Sequence, residues 1–403
     1  MHRRTLAGLV TGLTLAAATG CGSNAAPADD ADSGSGKEHG AVEGAREVAE
    51  PQLHLTTIDG TGNVAQLDLI EGSSAKVGRI GEPSAVDSDG RYLFATTADG
   101  VEIVDSGMWT WDHGDHFHYY RGEPAVLGTV AGAGEATVAT GPLSTAGSTG
   151  VFFHGTGEAV LLDNEALADG EVRELFRLDT GAPDGLVAPV GDGALVAVAE
   201  DGAITGLRFH DAEGDATGEQ IPCAGAGGTI TTKVGVVVGC ADGAVLITEN
   251  DGEPDVERIR YPSDAPRATE FEGRKNRPTV AALSGRTGIW LLDTRERTWT
   301  HLDAGTPLRQ VVAVDDEEGH VLALDTTGRV RVYAAEGGTQ LAATEPLVDP
   351  SDRGVGLVVD QERAYLNVPA DGVVHEIDYA DEARIARTLE TPTAPVFFTE
   401  TGR

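Results

Sequence analysis

The stretch RYLFATTADGVEIVDSG, Arg91 to Gly107, decides the fold. An apolar run, Tyr92-Leu93-Phe94-Ala95, enters Asp99-Gly100 and leaves as a second apolar run, Val101 to Val104. A tight turn of this chemistry between two apolar runs signals a β-hairpin, because glycine accepts the positive φ that primed turns require. The theme returns in GALVAVAEDGAITGLRFHD (193–211), GVVVGCADGAVLITEND (235–251), TVAALSGRTGIWLLDTRERTW (279–299), HVLALDTTGRVRVYAAEGG (320–338) and AYLNVPADGVVHEIDYADE (364–382). The turn glycines are Gly62, Gly100, Gly157, Gly202, Gly243, Gly288, Gly328 and Gly372, spaced 38, 57, 45, 41, 45, 40 and 44 residues apart.

A period in the low forties made of strands alone marks a β-propeller, whose blades bury their faces only against one another. Eight hairpins predict an all-β propeller of eight blades over residues 51–398, or seven if one hairpin is an additional loop. A solenoid or a pair of β-sandwiches explains the regular spacing less well. ALADGEVRELF, residues 166–176, is the sole helical candidate, and Gly170 within it weakens it.

The 57-residue interval is the long one, and it holds WTWDHGDHFHYY, Trp109 to Tyr120. The extra length predicts an enlarged loop between blades at about 107–122, the kind of place where scaffolds carry function. His113, His116 and His118 form H-x-x-H-x-H. In an extended chain His116 and His118 project to one side, and Gly114 lets the chain turn His113 back toward them. Three neutral imidazoles with room for a fourth donor suit Zn²⁺. Asp112 and Asp115 are placed as an oxygen ligand or as acceptors that fix a ring N–H. Trp109, Trp111, Phe117, Tyr119 and Tyr120 are expected to wall the site. His154 in VFFHGTG is an additional candidate ligand if the insert folds back over its own blade. His54, His210, His301, His320 and His375 stand singly at strand edges and read as surface or structural residues.

The chain opens MHRRTLAGLVTGLTLAAATGC. A basic start, an apolar run of 13 residues from Leu6 to Ala18, and small residues before Cys21 resemble a lipoprotein signal over residues 1–20, with Cys21 acylated. Arg3-Arg4 leaves the general and twin-arginine export routes both open. Residues 21–50 are small and polar and are expected to be a flexible tether. That places the protein outside the cytoplasm, anchored to the membrane through its N-terminal lipid alone. In that compartment the remaining cysteines, Cys223 and Cys240, are most simply a disulfide; a zinc-thiolate site there would need two further ligands. The net charge of −36 repels a phosphate backbone, so no nucleic acid is expected as partner.

GVEIVDSGMWTWDHGDHFHYYRGEP (100–124), Gly155-Thr156-Gly157, the Cys223…Gly239-Cys240 pair and GIWLLDTRERTW (288–299) together resemble the AztD-type periplasmic zinc metallochaperones. The resemblance implies a β-propeller that binds a zinc ion through His113, His116 and His118. It also implies a partner, the solute-binding protein of a zinc ABC importer. The chain departs from the family where a His-His-Gly is replaced by Pro183-Asp184-Gly185, and where a histidine after the first paired cysteine is replaced by Gly227. Asp184 still offers an oxygen there. Two other functions compete: a non-catalytic binding scaffold, and a metal-dependent hydrolase. Neither G-x-S-x-G nor H-E-x-x-H is present, so the chain reads as a non-enzyme.

Overall fold

In the computed structural model, which describes residues 40–112, 116–250, 253–352 and 354–403, the strands form eight four-stranded antiparallel sheets and one three-stranded sheet. We number the four-stranded sheets in chain order as blades I (strands within 54–79, with Phe397–Thr401), II (85–131), III (136–179), IV (187–222), V (229–260), VI (268–303), VII (308–343) and VIII (357–390). Each of blades III to VIII is four successive strands. Blade I is assembled from both ends of the propeller: Phe397–Thr401 pairs with His54–Ile58, with Phe397 opposite Ile58 and Thr401 opposite His54. This pairing closes the ring, and each blade keeps only the short edge of its outermost strand.

Eight buried apolar clusters mark the seams. Tyr92, Phe94 and Ile103 of blade II meet Val151, Phe153 and Leu162 of blade III. Val312, Leu324 and Val332 of blade VII meet Leu357, Leu366 and Ile377 of blade VIII. Leu55 and Leu67 of blade I meet Tyr365 and Val374 of blade VIII. The other clusters join the remaining neighbours in the same way. Each blade is therefore apolar on both faces, which explains the runs of Val, Leu and Ile without polar alternation.

All eight turn glycines fall in the hairpin between the second and third strands of a blade. Seven have φ between 68° and 149°. Gly288 differs: it lacks a positive φ, but a Cβ there would lie 2.7 Å from the Ser284 carbonyl oxygen and 2.7 Å from His301 Nε2. Close approach, not turn conformation, requires glycine at that position.

Two expectations are corrected. The helical candidate 166–176 only overlaps a short helix, Asn164–Ala168, capped by the Asp163 carboxylate; from Glu174 the chain is strand. Phe176 pairs opposite Leu161 and is buried at the seam between blades III and IV, and this burial outweighs helix propensity. The enlarged loop does not lie between blades. It is a hairpin, Met108–Asp112 with Phe117–Arg121, inserted between the third and fourth strands of blade II, Gly100–Asp105 and Ala125–Ala131. Its outer edge is paired by Arg46–Val48, a strand inside the stretch expected to be tether.

This topology fixes two faces. In an antiparallel meander, turns between first and second strands and between third and fourth strands lie at one end of every blade. Turns between second and third strands, and the links from blade to blade, lie at the other. The inserted hairpin belongs to the first face. His154, which follows the second strand of blade III, belongs to the second.

Candidate metal centre

The hairpin register is Met108 opposite Arg121, Trp109 opposite Tyr120, Thr110 opposite Tyr119, Trp111 opposite His118 and Asp112 opposite Phe117. Side chains alternate along strands, so Trp109, Trp111, His118 and Tyr120 share one face. Its base is anchored: Trp109 and Tyr120 stack with centroids 5.2 Å apart, and the Arg91 guanidinium lies 3.9 Å from the Trp109 ring centroid. Arg91 donates to both oxygens of Asp105, at 3.0 and 2.7 Å. Burial works against the Arg91 charge, but Asp105 outweighs it and keeps the guanidinium charged.

On this base the two imidazoles converge. His116 Nε2 lies 2.9 Å from His118 Nε2, with ring centroids 4.7 Å apart and planes at 62°. Donors bound to one tetrahedral Zn²⁺ at about 2.0–2.1 Å stand roughly 3.3 Å apart, so a small opening of this pair admits a single ion. Behind His118, Glu47 Oε1 sits 2.7 Å from Nδ1. An ionised carboxylate only accepts, so it fixes the proton on Nδ1 and leaves Nε2 as the lone-pair nitrogen. His116 is exposed and His118 half-buried, so the pair opens to solvent.

The remaining expected residues are distributed differently. His113 and Asp115 lie outside the described residues. Asp112 closes the hairpin ladder opposite Phe117. Phe117 is 54% exposed and does not wall the site, because it lies on the other face of the strand from His118, stacked on Tyr119 at 6.4 Å.

His154 does not approach this pair, since its turn is on the opposite face of the ring. It meets Asp184 instead: Nδ1 lies 3.3 Å from Asp184 Oδ1, and Nε2 lies 2.7 Å from Thr137 Oγ1. Thr137, Asp184, Gly185, Gly227 and Arg267 line a cavity of about 300 Å³. The two positions where the resemblance lacked histidines, Asp184 and Gly227, therefore line one cavity, and His154 contacts it through Asp184. Here His154 offers one imidazole and Asp184 one carboxylate.

Sequence reasoning missed two features. Asp316, Glu318 and His320 place one ligand atom each within 4.8 Å of one another. Asp316 accepts from the His320 N–H at 2.8 Å and faces Nδ1 at 2.5 Å, so both of its oxygens serve the turn. Although burial pushes the Asp316 carboxyl up, the hydrogen bonds from His320 hold it below its ordinary value. The Asp-x-x-x-His spacing was the visible signal. The second feature is a cavity of about 540 Å³ lined by first strands of seven blades. Asp87 and Glu272 line it with exposed side chains, and the surrounding protein pushes both carboxyls upward.

Cys223 and Cys240 form a disulfide within the apolar seam between blades IV and V.

No protein-family model matches the chain. Among solved structures, Citrobacter koseri AztD superposes with a TM-score of 0.75 at 18% identity, covering 88% of this chain and 99% of that one. The apo form of Citrobacter koseri AztD gives the same score and identity, with 98% of that chain covered. The dihydro-heme d1 dehydrogenase NirN, in complex with DHE, is more distant, with a TM-score of 0.55, 15% identity and coverage of 88% of this chain and 76% of that one. At these identities the likeness is one of fold.

Proposed function

We propose that this protein is an extracytoplasmic zinc-binding propeller that holds zinc at the blade II hairpin and passes it to the solute-binding protein of a zinc ABC importer. The observation that carries the reading is the convergence of His116 and His118 Nε2 to 2.9 Å, with Glu47 fixing His118 from behind. His113 is the proposed third ligand, and Asp112 or Asp115 the source of a further oxygen. The fold shared with AztD and the resemblance in the hairpin sequence support the choice of cargo. Imidazole donors also accept copper and nickel.

The reading asks for reversible coordination and no bond-making chemistry. An open site suits it: a partner's ligand enters the exposed side and displaces imidazoles one at a time, which a closed four-coordinate cage resists. Acylation at Cys21 holds the propeller at the membrane, within reach of an importer.

Zinc titration of the mature chain against a chromogenic chelator tests this. The expected result is tight binding that is lost in the His116→Ala/His118→Ala variant, with circular dichroism unchanged. Absence of binding at micromolar zinc in the wild-type protein removes the reading.

A further inference from the structure

We infer that Glu47 is a positioning residue of the metal site, and that the arm strand Arg46–Val48 thereby sets how tightly the hairpin holds its ion. The inference rests on the reading that His116 and His118 ligate zinc.

The placement follows from strand pairing. Arg46 lies opposite Arg121, Glu47 opposite Tyr120 and Val48 opposite Tyr119. Glu47 therefore projects to the same face as Tyr120, and His118 is its diagonal neighbour on that face, a distance long side chains span. A register slip of one residue would turn Glu47 away and present Arg46 or Val48 instead. Neither offers an acceptor, and Arg46 would bring a cation toward the metal.

Several contacts hold the register. Trp109 Nε1 donates to the Gly40 carbonyl at 2.9 Å. Gly40 has φ +72°, and a Cβ there would overlap the Trp111 ring. Arg121 Nη1 donates to Gln52 Oε1 at 3.0 Å. The arm is thus fastened before, at and after Glu47, and the hairpin is fastened with it.

The chemical effect is on His118. With the proton held on Nδ1, Nε2 faces His116 with its lone pair. Without the carboxylate, the ring is free to exchange tautomers and to rotate, and metal binding must then supply the ordering that Glu47 supplies in advance. The side chain of Glu47 is 57% exposed, so solvent screens its charge and orientation is its main contribution. The coupling is reciprocal: an arm that raises metal affinity is itself held more firmly when metal is bound.

The test uses the full mature chain with Glu47→Ala and Glu47→Gln, read three ways. Chelator competition is expected to show the zinc Kd rising about 10–100-fold in Glu47→Ala, the range typical for removal of such a partner, and less in Glu47→Gln, which keeps an acceptor oxygen. Long-range ¹⁵N–¹H spectra of the metal-free protein are expected to show His118 protonated on Nδ1 in the wild type and shifted toward Nε2 in Glu47→Ala. Hydrogen exchange is expected to show the amides of Arg46–Val48 slowed by zinc in the wild type. An unchanged tautomer and an unchanged Kd in Glu47→Ala, with wild-type zinc binding intact, overturn the inference alone. A wild-type protein that binds no zinc overturns the metal reading and this inference with it.

Discussion

At the scale of the residue, Glu400 shows how the propeller's interior acts on a single group. Its side chain is fully buried on the strand that closes the ring, Oε1 has no hydrogen-bond partner among the described residues, and Arg403 Nη1 lies 3.3 Å from Oε2. Burial pushes its carboxyl up to about 8; Arg403 opposes this and Asp360 adds to it. The folded state therefore binds this proton more tightly than the unfolded chain, whose glutamates titrate near 4.5. The resulting stability is complete below about 4.5 and is lost as pH rises toward 8. Denaturant midpoints measured between pH 5 and pH 8 should fall more steeply with pH in the wild type than in Glu400→Gln; equal slopes contradict the assignment. At this scale the sequence was partly legible. A spacing of two brings His116 and His118 to one side of an extended chain, and they meet. Glu47 lies 71 residues from His118, and no local pattern reports a contact made by strand pairing across that separation.

At the scale of the element, the hairpins were the legible part, because an apolar run, a turn glycine and a second apolar run need only local chemistry. The helical candidate failed where Phe176 gained more from burial between blades than from helix. The insertion was visible as excess length, but length alone does not say which connection carries it. The Cys223–Cys240 bridge is an element-scale staple, spanning 17 residues between the entry to blade V and the end of its second strand. Constraining an unfolded loop of that size is worth about 3 kcal/mol. Urea unfolding of Cys223→Ala/Cys240→Ala should show a loss of that order with both cysteines buried in the folded state. A loss below about 0.5 kcal/mol, the ordinary range for a surface change, would show that the bridge adds nothing.

At the scale of the molecule, eight turns spaced 38 to 57 residues apart implied eight blades, or seven with one additional loop, and eight apolar seams join eight blades into a ring. Which face each histidine occupies depends on which connection it sits in, and only the completed meander supplies that. The result separates three groups: the hairpin pair with Glu47, the His154–Asp184 contact on the opposite face, and Asp316–Glu318–His320 in the first-to-second-strand turn of blade VII. Anomalous diffraction at the zinc edge from crystals of the zinc-loaded protein distinguishes them directly. The account predicts one strong peak about 2.0–2.1 Å from both His116 and His118 Nε2, with Glu47 still against His118 Nδ1. A dominant peak at His154–Asp184 or at Asp316–His320, with the hairpin unoccupied, would contradict it.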